Sequence, residues 1–174
     1  MKLLATIVLL FALLTNTNAS DTDTVNDLSV GYGSSSEHFD IYRISVKKDL
    51  NKYFFEKKYK YLPKYYETSL GYWKGENSSN LYSISFTPVF RYTFVKYYDV
   101  KPYLEAGIGG TYISKTKIEQ EDFGTHFQFE NIIGVGFKVY DFDISYRYMH
   151  YSNAGINKNN SGADFNVISI SYRF

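Results

Sequence analysis

Between residues 82 and 94 the even positions hold Tyr82, Ile84, Phe86, Pro88, Phe90, Tyr92 and Phe94. The odd positions between them hold Ser83, Ser85, Thr87, Val89, Arg91 and Thr93. Side chains of a strand alternate between its two faces, so this segment has one greasy, aromatic face and one that is mostly small, polar or charged. The pattern recurs. Over 100–112 the even set is Val100, Pro102, Leu104, Ala106, Ile108 and Tyr112, with Lys101, Tyr103, Glu105, Gly107, Gly109 and Thr111 opposite. Over 126–139 the apolar set moves to odd positions, from Phe127 and Phe129 to Ile133, Val135, Phe137 and Val139. Phe142, Ile144, Tyr146 and Tyr148 oppose Asp141, Asp143, Ser145 and Arg147, and Ile168, Ile170, Tyr172 and Phe174 oppose Ser169, Ser171 and Arg173. Fainter versions run through Leu28-Val30-Tyr32, Tyr42-Ile44-Val46 and Tyr66-Leu70-Tyr72.

A soluble barrel turns its grease inward. These segments, about ten residues long and carrying charge on the face opposite the aromatics, need the inverse arrangement, with lipid outside. The expected fold class is therefore all-β: an eight-stranded antiparallel transmembrane β-barrel of the bacterial outer membrane. A barrel of eight strands has an interior that side chains fill, which argues against a pore. Glu105, Glu130, Arg91, Arg147 and Arg173 share the inward parity and are expected to form a salt-linked plug, joined by His126.

The first residues belong to a different segment. Lys2 precedes an apolar run from Leu3 to Leu14, then Thr15-Asn16-Thr17-Asn18-Ala19. That order describes a secretory signal peptide, and the run is too short to span a bilayer as a helix of about 20 residues. Cleavage is expected after Ala19, which leaves residues 20–174 as a single barrel domain. The 19 basic and 18 acidic side chains nearly balance, which excludes a basic nucleic-acid-binding domain, and the absence of Cys excludes thiolate chemistry and disulfide scaffolds.

With both termini periplasmic, the outer loops fall near 33–38, 74–80, 114–122 and 153–163, and the inner turns near Tyr97-Asp99 and Tyr140-Asp141 are short. Residues 47–64 break the habit. Lys47, Lys48, Lys52, Lys57, Lys58, Lys60 and Lys64 are interleaved there with Tyr and Phe. They read either as an interfacial segment on anionic headgroups or as a strand extension with solvated lysines.

One stretch can carry chemistry. His150 and Ser152 are two apart on a strand and share a face, about 6.6 Å between Cα atoms. Their parity is that of Tyr146 and Tyr148, the lipid-facing set, where a histidine is costly. Asp164 has the lipid-facing parity of the last strand and opens the strand antiparallel to the one ending at Ser152, so it can stand beside His150. A carboxylate, an imidazole and a hydroxyl within mutual reach are the parts of an acyl-transfer site. Headgroup-level polar residues at a strand end would look the same. A metal at His126 with Glu130 would have ligands on one side only, and none is expected.

The stretch His150-Tyr151-Ser152-Asn153-Ala154-Gly155 resembles the signature of the lipid A 3-O-deacylase family (PagL). Ser83-Ile84-Ser85-Phe86-Thr87-Pro88-Val89-Phe90, Lys101-Pro102-Tyr103-Leu104-Glu105-Ala106-Gly107-Ile108-Gly109 and Phe129-Glu130-Asn131-Ile132-Ile133-Gly134-Val135-Gly136 resemble family segments in the same order, and Gly71-Tyr72-Trp73-Lys74-Gly75 does so more loosely. The resemblance implies an outer-membrane serine esterase that removes the 3-O-linked acyl chain of lipid A in lipopolysaccharide and releases a 3-hydroxy fatty acid, without a cofactor. It implies Ser152 as nucleophile, His150 as general base and an orienting carboxylate, a glutamate in the family where this chain has the shorter Asp164. It also implies an oxyanion hole from the Asn160 side chain and the Gly155 backbone N–H, with Asn153 supporting the loop. Lipopolysaccharide, outer-membrane lipids and a second copy of the chain are the implied partners. A non-catalytic small barrel, as structural anchor or adhesin, and an inactive homologue remain the alternatives.

Overall fold

The computed structural model describes residues 26–50, 64–77 and 79–174. The leader expected over 1–19 and most of the lysine-rich segment lie outside the described residues. Eight long strands close into one antiparallel barrel. They are β1 (Asn26–Ser35), β2 (Phe39–Asp49), β3 (Tyr65–Gly75), β4 (Asn80–Thr93), β5 (Val100–Ile113), β8 (Phe127–Val139), β9 (Phe142–Ser152) and β10 (Ala163–Arg173). Two short strands, β6 (Lys117–Ile118) and β7 (Glu121–Asp122), form a separate hairpin between β5 and β8. Closure comes from β1 pairing with β10, so no long strand is left with an open edge.

Parity governs what faces where. Val30, Tyr82, Ile84, Phe86, Tyr112, Ile133, Ile168 and Phe174 stand exposed on the outside. Buried inside are Arg43, Glu67, Glu105, Glu130, Asp143 and Arg147. Arg147 donates to Glu105 at 2.7 Å and to Glu67 at 2.9 Å. Arg43 reaches Glu130 at 2.8 Å, and Arg91 bridges Glu105 at 2.9 Å and Asp143 at 2.7 Å. Tyr65, Tyr151 and Thr87 hydroxyls donate into the same carboxylates. Four carboxylates and three guanidinium groups thus satisfy one another where water is excluded, which is the condition under which buried charge is tolerated.

The interior departs from simple parity, and from the expectation for His126, in three places. The lumen is not polar throughout: toward the loop end Trp73, Phe39, Phe165, Tyr151 and Phe123 pack edge to face or stacked, with Ile41, Leu81 and Met149 beside them. His126 does not join the plug. It precedes β8, lies exposed, stacks on Tyr112 with ring centroids 5.4 Å apart and places Nδ1 2.7 Å from the Ile113 carbonyl oxygen. Strand parity does not apply to a residue outside the strand. Lys47 does not reach headgroups, because β2 continues to Asp49 and odd positions of β2 point inward. Its Nζ lies 2.8 Å from Ser171 Oγ. Lys64 is exposed and pairs with Asp49 at 3.3 Å.

The segment expected as a plain outer loop over 114–122 is also more than that. Its β6–β7 hairpin drops Ile118, and the following residue Phe123, into the barrel mouth, where both are buried. Two apolar residues separated by charged ones are too short a pattern for periodicity to detect.

Pairing fixes the tilt. The row of paired residues that leaves β4 at Tyr82 passes Tyr72, Tyr42, Tyr32, Ile168, Tyr146, Val135 and Leu104, and returns to β4 at Tyr92. It comes back ten residues lower on the same strand, so the strands lean about 40° from the barrel axis.

Candidate active site

β9 and β10 pair so that Asp164 stands directly opposite His150. His150 Nδ1 lies 2.7 Å from Asp164 Oδ1. The aspartate is one methylene shorter than a glutamate, yet the contact is made, because the two Cα atoms face each other across the ladder. The ring side chain is 40% and the carboxylate 37% exposed, so the pair sits on the outer face of the barrel and is not part of the lumen network. With Nδ1 held by the carboxylate, Nε2 is the nitrogen left to act.

Ser152 ends β9, two residues above His150 on the same face, and pairs with Phe129 of β8. Among the described residues no hydrogen bond joins its hydroxyl to the ring; such contacts are often long until substrate binds. On the other flank of His150 stands Asn131 of β8. In the sequence it lies within the family-like segment Phe129–Gly136 and has no motif of its own. It occupies an outward position between Phe129 and Ile133, and that break in an otherwise apolar face was the available signal. The row across three strands is therefore Asn131, His150, Asp164, three polar groups side by side on a wall that is mostly aliphatic and aromatic.

The loop after Ser152 is built around Asn153, which is fully buried. Its Nδ2 donates to the carbonyls of Phe123 at 2.8 Å and Asn159 at 2.7 Å. Its Oδ1 accepts from the Gly155 N–H at 2.8 Å, and its own backbone N–H donates to Asn160 Oδ1 at 2.8 Å. The side chain thus replaces backbone turn hydrogen bonds, the usual work of an asparagine here. The chain turns sharply, with φ of 53° at Ala154 and 80° at Gly155. For alanine that conformation is strained, and the loop's hydrogen bonds hold it.

The expected oxyanion donors are therefore near Ser152 but differently engaged. The Asn160 amide spends its oxygen on Asn153, which leaves its NH2 group to donate. The Gly155 N–H is already given to Asn153.

The β6–β7 hairpin and the residues after it form a cap that braces this loop. Asn159 Nδ2 donates to Asp122 Oδ2 at 2.8 Å, Asn157 Nδ2 to the Gly124 carbonyl at 3.2 Å, and Ser161 N to the Asp122 carbonyl at 3.2 Å. Gly124 has φ of 68°, and a Cβ there would meet the Asn159 carbonyl oxygen at 2.1 Å, so the close approach requires glycine. A hydrogen bond from Lys117, seconded by the Gly124 N–H, holds the Asp122 carboxyl below the usual carboxylate range.

Below the site the outer wall is hollowed. A groove of about 680 Å³ is lined by Phe90, Tyr92, Leu104, Ala106, Ile133, Val135, Tyr146 and Tyr148, and is open to the backbone at Glu105 and Gly134. Phe90, Ala106, Ile133 and Tyr148 form one paired row, four residues below Ser152 on β9.

A profile of the family described as lipid A 3-O-deacylase (PagL) matches residues 40–173. The lipid A deacylase PagL of Pseudomonas aeruginosa is 32% identical over 140 residues, 79% of this chain and 80% of that protein. The lipid A deacylase PagL of Bordetella bronchiseptica is 35% identical over 112 residues, 62% of this chain and 61% of that one. The crystal structure of the outer membrane enzyme PagL superposes with a TM-score of 0.72 at 29% identity, covering 84% of this chain and 98% of that one. Neisserial surface protein A, with a TM-score of 0.50 at 18% identity, shares the fold alone.

Proposed function

This chain belongs to the lipid A 3-O-deacylase (PagL) family, and we propose that it is an outer-membrane serine esterase that removes the 3-O-linked acyl chain of lipid A. The observation that carries this reading is the His150–Asp164 pair at 2.7 Å, facing outward beside Ser152 on a wall otherwise suited to lipid. A charged-capable pair in that position is costly unless it is used.

His150 Nε2 takes the proton as Ser152 Oγ attacks the ester carbonyl carbon, and Asp164 orients the ring and stabilises its charged form. The tetrahedral intermediate collapses, the ring returns the proton to the departing sugar oxygen, and the 3-hydroxyl of the glucosamine is freed. Water then hydrolyses the acyl–Ser152 ester with the same base, and a 3-hydroxy fatty acid leaves. The Asn160 NH2 group serves the oxyanion. The Gly155 N–H adds to it only if its bond to Asn153 opens in the transition state. Oxyanion donors are worth about 10²–10³ in rate each.

The loops at the Ser152 end face outward, toward lipopolysaccharide. Because the paired rows descend around the barrel, Ser152 stands at about the height of Tyr82 and Tyr112, the aromatic level expected at the headgroups. That height suits an ester next to a sugar, and the groove beneath suits the chain attached to it.

The test is mass spectrometry of lipid A after incubation with the protein refolded in detergent. The expected product lacks one 3-hydroxyacyl group at the 3-position. Intact lipid A from several sources, with a folded barrel, would transfer the assignment to a non-catalytic barrel or an inactive homologue.

A further inference from the structure

We infer that Ala106 sets the length of the acyl chain this protein accepts, by leaving open a slot in the outer wall where the distal end of the chain can lie; this rests on the esterase reading above. Starting from Ser152, Ala106 is reached by descending four residues along β9, about 13 Å, and crossing two strands, about 10 Å. The separation is about 16 Å. With the strands leaning about 40°, the sideways shift of descending β9 and that of crossing toward β5 have opposite senses and nearly cancel. Ala106 therefore lies almost straight beneath Ser152 along the membrane normal, in the direction an acyl chain hangs. That drop is roughly a dozen methylenes of extended chain.

The row itself explains why the chain would lie there. Phe90, Ile133 and Tyr148 project on either side of Ala106, and Leu104 and Ile108 precede and follow it on the outer face of β5. A methyl group among five large side chains leaves a slot that reaches the backbone at Glu105 and Gly134. The groove begins at this row, where the twelfth carbon arrives, and continues downward past Tyr146, Val135 and Leu104. A leucine at 106 would fill the slot and leave the row above it, which holds Asn131 and His150, unchanged. Ala106 touches none of the reacting groups, so its effect falls on chain discrimination and not on the chemical step.

The experiment compares lipid A carrying a ten-carbon or a fourteen-carbon 3-hydroxyacyl group at the 3-position. Wild type is expected to cleave both. Ala106→Leu is expected to lose about tenfold or more in kcat/KM on the longer chain relative to the shorter, and Ala106→Ser to keep the wild-type ratio. An unchanged ratio in Ala106→Leu, or an equal loss on both chains, would overturn the inference. A second readout needs no turnover. In Ser152→Ala, lipid A with a photoreactive diazirine at the twelfth carbon of that chain should tag the β5 or β8 peptide holding Ala106 or Ile133, and Ala106→Leu should abolish the tag. Tags spread around the barrel would overturn the inference even if the esterase stands. Tags at Ala106 without cleavage by wild type would support it while removing the esterase reading.

Discussion

The two faces of β9 are built on opposite principles. Its inward charged and aromatic side chains Arg147 and Tyr151 are buried and well partnered: Arg147 alone donates to Glu105, Glu67 and Tyr65. On its outward face the contacts are few and open to the outside: His150 is held by Asp164, Tyr146 donates to Asn166 at 2.6 Å, and the Ser152 hydroxyl has no hydrogen bond among the described residues. The contrast separates what holds the barrel from what the barrel presents. Saturated groups are rigid and chemically idle. A half-exposed imidazole with one nitrogen committed is held in orientation and still able to react.

If that division is right, changes on the outer face should remove activity and spare the fold, and changes on the inner face should do the reverse. The largest effect belongs to Ser152→Ala, expected to lower deacylation by about 10⁴-fold or more while the folded barrel keeps its heat-modifiable migration on gels. Asp164→Asn should follow at about 10³-fold, read by the same lipid analysis, since an amide can hold the ring in the wrong tautomer. Glu67→Gln tests the other side. It leaves Arg147 and Arg43 short of a shared carboxylate in the dry lumen, and should cost about 3–5 kcal/mol of stability in a denaturant titration. An active but less stable Glu67→Gln barrel would sharpen the division, and an inactive one of full stability would break it.

Asn153 lies on the border between the two regions. It is buried like a lumen residue but shapes the loop beside Ser152. Asn153→Ala should cost about 1–3 kcal/mol through the unpaired carbonyls and N–H groups it leaves, and should also slow turnover, so it alone is expected to move both readouts. The smallest effect concerns the cap. The Asp122 carboxyl is held low by Lys117, so its contact to the loop is present above the ordinary carboxylate pKa and is lost as pH falls through the lowered one. Amide exchange in 153–162 should therefore stay slow at neutral pH and rise only in strong acid, and Asp122→Asn should raise it at neutral pH.

How much of this was legible follows from what alternation can encode. The barrel and its inside-out polarity were readable because β4, β5 and β8 each repeat the pattern over more than ten residues, and β9 and β10 repeat it over shorter stretches. His150, Ser152 and Asp164 stood out as polar residues of lipid-facing parity in a hairpin, and their pairing followed from antiparallel register. The cap was not readable. Ile118 and Phe123 are buried by a hairpin two residues wide, and the local sequence is otherwise that of a solvated loop. The apolar cluster around Trp73 was hidden because its members sit on polar-parity positions near strand ends, where the pattern is weakest. Asn131 broke parity as plainly as His150 did, but an amide has no titratable signature to draw notice. The groove at Ala106 could not be read from one strand, since it exists only where four strands bring large residues around a small one.

The most direct measurement is lipid A deacylation by Ser152→Ala beside wild type, with the folded state of each verified in the same samples. The account predicts loss of one 3-hydroxyacyl group with wild type and none with Ser152→Ala, both barrels being equally folded. Deacylation that persists in a folded Ser152→Ala barrel would contradict it, because the nucleophile would then lie off the outer face of β9.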